Sequence, residues 1–247
     1  MLDFIIQLIQ TQNHFLVFIA GVMVGLIHAL EPDHISAMST QIISGKSDIT
    51  KKQSVRNFAK RYSWKGIVWG IGHTSSIIII GVLIAGLSLN ISDEFFTGTE
   101  FVVGIMLIIL GAFSIKNKNF LKHTHVHPHT HKNGVSHIHA HNHVSDHRHD
   151  HRSFIIGSIH GMAGSGSIVA LTASIFLGFE SMLYFLVLFG IGSIIGMAFI
   201  SNMIGLPFII SSKMKQTIRY IKFGICGITI IVGLNIIFTI CLNYKLF

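Results

Sequence analysis

The chain has 247 residues, of which half are hydrophobic and only 11% charged, with a formal net charge of +8. That balance, with a strongly positive mean hydropathy, excludes an ordinary soluble domain. Long runs of Leu, Ile, Val and Phe, with 24 Gly and 3 Pro, argue for helices packed through small residues rather than a membrane barrel, so an all-α integral membrane protein is expected.

Taken in chain order, apolar runs long enough to span a bilayer fall near 14–44, 66–89, 96–115, 153–178, 182–210 and 220–242, which predicts six transmembrane helices. The first basic residue is Lys46, so no cleavable leader is expected and the first run stays in the mature chain. Seven Lys/Arg lie between 46 and 65, six between 116 and 152, and four between 213 and 222. The alternate connections carry Asp93, Glu94, Glu100 and Glu180 instead. The positive-inside tendency then puts the basic connections in the cytoplasm of a cell-membrane protein and both termini outside. The surplus of positive charge is a topology signal with some attraction to anionic head groups, and nucleic acid is not an expected partner. Cys226 and Cys241 share one apolar run, about 22 Å apart along a helix, so they cannot pair with each other.

The two halves echo each other. "GLIHAL" at 25–30 returns as "GSIHGM" at 157–162, and "WGIGHTSSI" at 69–77 returns as "FGIGSIIGM" at 189–197. With three spans per half, the second copy enters the membrane from the opposite side, an arrangement of two inverted three-helix repeats with a substrate site near the midplane. The expected organisation is a first repeat over 1–115, a histidine-rich cytoplasmic loop over 116–152, and a second repeat over 153–247.

The stretch "GLIHALEPDH", 25–34, sets His28, Glu31, Asp33 and His34 inside an apolar run. On a regular helix, at about 100° per residue, His28, Asp33 and His34 would point to different sides. Pro32 breaks the first helix: it has no amide hydrogen for the carbonyl of His28, and its ring crowds that carbonyl. Two half-helices meeting at Glu31 and Pro32 would free that carbonyl, bring the side chains together and put the acids in the first turn of the second half. Imidazole and carboxylate together in a dry place suit a divalent transition metal, and no thiolate stands nearby to favour structural zinc or Cu(I). The plainer reading is a helix end capped at head-group level. Against it, ionisable groups within a span are expensive and usually functional.

These residues carry a resemblance. "HALEPDH" resembles the His, four residues, Asp-His motif of the nickel/cobalt transporter superfamily, and "GIGHTS" is similar to the Gly-His-Ser/Thr motif of its next span. The whole chain, in order, resembles the compact six-span branch that includes urease-accessory-type nickel transporters and nickel/cobalt efflux permeases. The resemblance implies metal-pathway roles for His28, Asp33, His34 and His73, with Ni2+ or Co2+ as transported substrate and no resident cofactor. It does not extend to the acidic motif of the larger uptake permeases, since "LFGIG" is followed here by Ser193, Ile194 and Ile195.

His73, on an apolar helix, could be a satisfied core group. Its small polar flanks, Gly72, Thr74, Ser75 and Ser76, would let an ion or a neighbouring helix approach. His160 lies among Gly157, Gly161, Gly164, Ser165, Gly166 and Ser167, where the helix could unwind and expose carbonyls. Asn202 and Pro207 are candidates for a further break, or for packing alone.

The loop holds twelve of the seventeen histidines: His123, His125, His127, His129, His131, His137, His139, His141, His143, His147, His149 and His151. Few apolar residues and alternating His-x-His spacing suit extended chain, disordered without metal. Such a tract binds Ni, Co, Zn or Cu reversibly, as a reservoir or sensor beside a pore rather than as a transport ligand; the plainer reading is a solvated linker.

The leading expectation is therefore a permease, not an enzyme, that passes a divalent nickel or cobalt ion through a His/Asp site, in a direction compatible with import or export. Its partners would be the ion, the lipid bilayer and, for import, a cytoplasmic nickel-accepting protein. Two other classes stay open. One is a sulfite-type anion exporter holding an oxyanion at half-helix amino ends, which Glu31 and Asp33 oppose. The other is a membrane-bound metalloenzyme, for which no nucleophile or acid/base pair stands out.

Overall fold

Apolar residues at nearly every helical position give elements whose outer faces suit lipid, and the computed structural model has that character. Ile79, Leu83, Ile231 and Phe238 are among many large side chains left exposed. The structure describes residues 14–44, 55–87, 92–116, 126–130, 136–140, 150–164, 178–210 and 215–243.

Among these, seven helices and one hairpin occur in the order α1 (His14–His28), α2 (Pro32–Ser44), α3 (Val55–Gly86), α4 (Asp93–Ile115), β1 (Val126–Thr130), β2 (Ser136–Ala140), α5 (Asp150–Gly164), α6 (Phe179–Ile210) and α7 (Lys215–Asn243). Four helices, α3, α4, α6 and α7, are each long and apolar enough to cross a membrane. The pair α1 and α2 makes a fifth span if taken together, bent by 59° at the break. The protein is thus a polytopic helical membrane protein. Of the expected fourth span, only the part within α5 is described.

Three features differ from what the sequence predicts. The helix of the second span begins at Val55 and its membrane-crossing part at Ala59, not near 66, so Lys60, Arg61 and Lys65 are helical. Long Lys and Arg stems favour helix and carry their charge to the interface. Helix α6 runs unbroken past Asn202 and Pro207. Asn202 instead ties α6 to α3, its amide donating to the Ser63 hydroxyl and, at 3.0 Å, to the Ala198 carbonyl. Finally, the histidine loop, read as disordered, contains an antiparallel hairpin that pairs His127 with His139 and His129 with His137. The alternating spacing that suits extended chain also suits a strand. His151 lies exposed in the first turn of α5, and the remaining loop histidines fall outside the described residues.

The helices meet through glycines. Helix α6 packs between α1 and α3, α3 packs between α6 and α5, and α4 pairs with α7. Gly25 lies against the backbone of Phe189, and Gly157 against that of Trp69. Gly192 lies against Val22, and Gly72 against Phe154. A β-carbon at any of these four would strike a neighbouring carbonyl, so only glycine permits the approach. Aligned as the two sequence echoes align them, Gly25 corresponds to Gly157, Val22 to Phe154, Trp69 to Phe189 and Gly72 to Gly192. Each contact in one half therefore has its counterpart in the other. Along the α3–α6 seam Gly66 meets Met197, Gly70 meets Ile194 and Thr74 meets Gly190, so these two helices run antiparallel.

Candidate metal centre

Helix α1 ends at His28, where the chain turns through Ala29, Leu30 and Glu31 before α2 starts at Pro32. Proline is favoured as the first residue of a helix, because its missing amide would have had no intrahelical partner there. Glu31 precedes it as the cap, its carbonyl accepting the Ile35 amide at 3.1 Å. One expectation needs correcting. The carbonyl of His28 is not freed for an ion, since it accepts the Glu31 amide at 3.1 Å. What the break supplies is side-chain direction.

All five residues singled out from the sequence lie in one cluster. His28 and His73 approach Nε2 to Nε2 at 3.2 Å. His34 Nδ1 is 2.9 Å from Asp33 Oδ1, and His160 Nε2 is 3.1 Å from Asp33 Oδ2. The Asp33 carboxylate thus spans two imidazoles, one from α2 and one from α5. His34, His73 and His160 are fully buried and His28 nearly so, while the Asp33 side chain is 18% and that of Glu31 49% exposed. The cluster opens to the exterior on its acidic side.

Two sets of three ligand atoms each lie within 4.8 Å of one another: His28, His34 and His73, and Asp33, His34 and His160. Two ligands about 2.1 Å from one ion stand roughly 3.0 to 3.4 Å apart, for right-angled and tetrahedral arrangements respectively. The 3.2 Å His28–His73 and 3.1 Å His160–Asp33 separations fall at that spacing. Without an ion the same contacts serve as hydrogen bonds, given one shared proton each. The first set is all nitrogen; the second exchanges one nitrogen for a charged oxygen. His34 belongs to both, and its Nε2 is buried with no hydrogen-bond partner. The arrangement can hold a borderline cation in either of two adjacent positions around one shared imidazole.

Three supporting residues were not among the site candidates. The Trp69 ring stacks parallel on His73, with centroids 5.4 Å apart, and also contacts His34 and His160. Phe189 lies on His28 at 5.1 Å. Glu31 Oε1 is 3.0 Å from His28 Nδ1, close but without hydrogen-bond alignment, on the side of the ring away from the Nε2 that meets His73. A sequence signal for the aromatic pair existed: Trp69 and Phe189 open the two echoed segments at matching positions. Gly161 lies on the backbone of His73 and thereby sets the approach of α5. The unwinding expected around His160 does not occur as far as Gly164, where α5 is still helical; Ser165, Gly166 and Ser167 lie outside the described residues.

A polytopic membrane protein with a buried histidine–carboxylate cluster is the class that fold and site define. Compared with curated proteins, the chain is 34% identical to urease accessory protein UreH of Bacillus sp. (strain TB-90), with 92% of each chain covered. It therefore belongs to the UreH family of urease accessory proteins. It is also 28% identical to the chloroplast protein FOR GROWTH AND FERTILITY 1 of Arabidopsis thaliana, over 75% of this chain and 48% of that protein. No family profile matches the chain, and no solved structure does.

Proposed function

We propose that this protein carries a divalent transition-metal ion, nickel or cobalt, across the cell membrane through the cluster of His28, Asp33, His34, His73 and His160. The observation that carries the reading is the convergence of five metal-ligating side chains from four helices in a buried site, two pairs of them at the spacing of adjacent ligands. Membership of a urease accessory family agrees with a nickel cargo, as the transporter resemblance of the two motifs implied, and with an auxiliary rather than an enzymatic role. Charge supports a cation over an oxyanion, because the acids Glu31 and Asp33 stand at the amino end of α2 where an anion would otherwise bind.

The reading includes six spans arranged as two inverted three-helix repeats. The paired contacts support it: exchanging α1 with α5 and α3 with α6 reproduces them, and α3 and α6 are antiparallel. A half-turn about an axis lying across the helices does both, and it brings the two echoed histidines, His28 and His160, to one place. By the charge pattern, the histidine loop is cytoplasmic, where it stores or senses the metal, and the termini are outside. A cytoplasmic nickel-accepting protein is the partner an importer would serve.

Passage follows from ligand exchange. An ion entering past Glu31 and Asp33 would exchange water for Asp33, His34 and His160 and then pass to His28, His34 and His73, with His34 contributing to both sets. The two adjacent sets would spare the ion a bare crossing of the apolar interior. Radioactive nickel flux into liposomes holding the purified protein tests the function. Saturable nickel or cobalt flux with no sulfite flux is expected. Sulfite flux, or an inserted protein that moves no metal in either direction, would refute it.

A further inference from the structure

A cavity of about 560 Å³ lies away from the histidine cluster, between the beginning of α4 and the end of α7. It is an open cleft of mixed lining: Thr97 and Glu100 from α4 face Asn235, Thr239 and Asn243 from α7, with Ile236 and Ile240 beside them. The three α7 residues recur every four positions, so they form one stripe on that helix, and all three are exposed. Amides and a carboxylate facing hydrocarbon would be costly, so this stripe calls for water or a polar occupant. Glu100 is seven residues into α4, roughly 10 Å along the helix axis, and so lies well below the end at Asp93 and Glu94.

A short chain of contacts runs from Glu100 toward the metal cluster. Val103, one turn beyond Glu100, is buried and packs over Gly164 at the end of α5. That same glycine adjoins the His160 ring. Glu100 thus stands one helical turn from a valine that touches the glycine beside His160, the residue paired with Asp33.

We infer that this cavity is an outer antechamber for the transported cation, a second and weaker site in which Glu100 supplies the charge and the α7 amides and hydroxyls supply neutral oxygen ligands. The inference rests on the transport reading above. Hard oxygen ligands bind a hydrated nickel or cobalt ion loosely and exchange quickly, whereas the imidazoles beyond Val103 bind it tightly after its water is shed. A loose site before a tight one raises the local ion concentration without trapping the ion.

Two measurements on the full-length protein test it. Glu100→Cys should react with a membrane-impermeant, positively charged thiol reagent added outside intact cells, and added nickel should slow the reaction several-fold. The wild-type protein, whose two cysteines are buried, provides the blank. Glu100→Gln should raise the nickel concentration for half-maximal flux about tenfold, the effect of losing one unit charge near a divalent ion, with maximal flux little changed; Glu100→Asp should restore it. Failure to label Glu100→Cys, as a second polypeptide covering the face would produce, overturns the antechamber. So does an unchanged half-saturation in Glu100→Gln. If Asp33→Asn remains inactive in either event, the central site stands and only the antechamber is lost; normal flux in Asp33→Asn sinks the transport site itself.

Discussion

Replacing Gly161 by Ala adds one methyl group at the seam between α5 and α3. A β-carbon there would lie 2.8 Å from His73 Cα and closer still to the His73 carbonyl oxygen, where ordinary contact begins at 3.4 Å. Both obstacles are backbone, so neither can swing aside, and relieving the nearer one requires α5 to retreat by about 1 Å. His160 is the neighbouring residue and moves with it. The His160–Asp33 contact, 3.1 Å at the start, then lengthens past hydrogen-bond range and past the spacing of two ligands on one ion. Overpacking of this kind costs about 1 to 3 kcal/mol, which a helical membrane protein can absorb without losing its fold. Misplacement by a fraction of an ångström to one ångström should reduce nickel flux about ten- to a hundredfold. Flux into liposomes, after size-exclusion chromatography shows an intact protein, is the assay. Gly227→Ala is the control, because a β-carbon at Gly227 meets nothing within 4 Å, and its flux should stay within about twofold of wild type. Undiminished flux in well-folded Gly161→Ala would show that the α5–α3 approach does not set the transport geometry, and would remove His160 from the site.

Three further outcomes are expected. Asp33→Asn keeps the shape but removes the charge that faces His34 and His160, so flux should fall about a hundredfold or more with insertion intact; near-normal flux would count decisively against the site. Glu31→Gln loosens the ring of His28 without removing a cluster ligand, and should weaken transport roughly tenfold, less than loss of Asp33; an equal loss in both variants would mean Glu31 itself binds the ion. Deleting residues 123–151 should lower the metal bound per protein in equilibrium dialysis and leave a conducting pore. A shortened protein that inserts yet carries no ion would put the loop in the transport path.

Much of this protein is legible in one dimension. Hydropathy alone marks the membrane class and the helices α3, α4, α6 and α7, because burying backbone polar groups in hydrocarbon leaves a long apolar sequence little choice but helix. The break before Pro32 is equally local, since a ring without an amide hydrogen ends one helix and suits the first turn of the next. Histidine, aspartate and their spacing therefore name the candidate ligands before any packing is known. What they cannot state is which atoms meet. That His28 touches His73, that Asp33 bridges His34 and His160, and that Trp69 and Phe189 wall the cluster are decided by helix approach. The approach depends on glycines whose effect is exerted on other helices, Gly25 on Phe189 and Gly157 on Trp69. A glycine in an apolar run reads as a packing residue in general. Only the tertiary structure says against what, because contact between distant segments is a property of pairs of surfaces, while sequence pattern reports the chemistry of each surface alone.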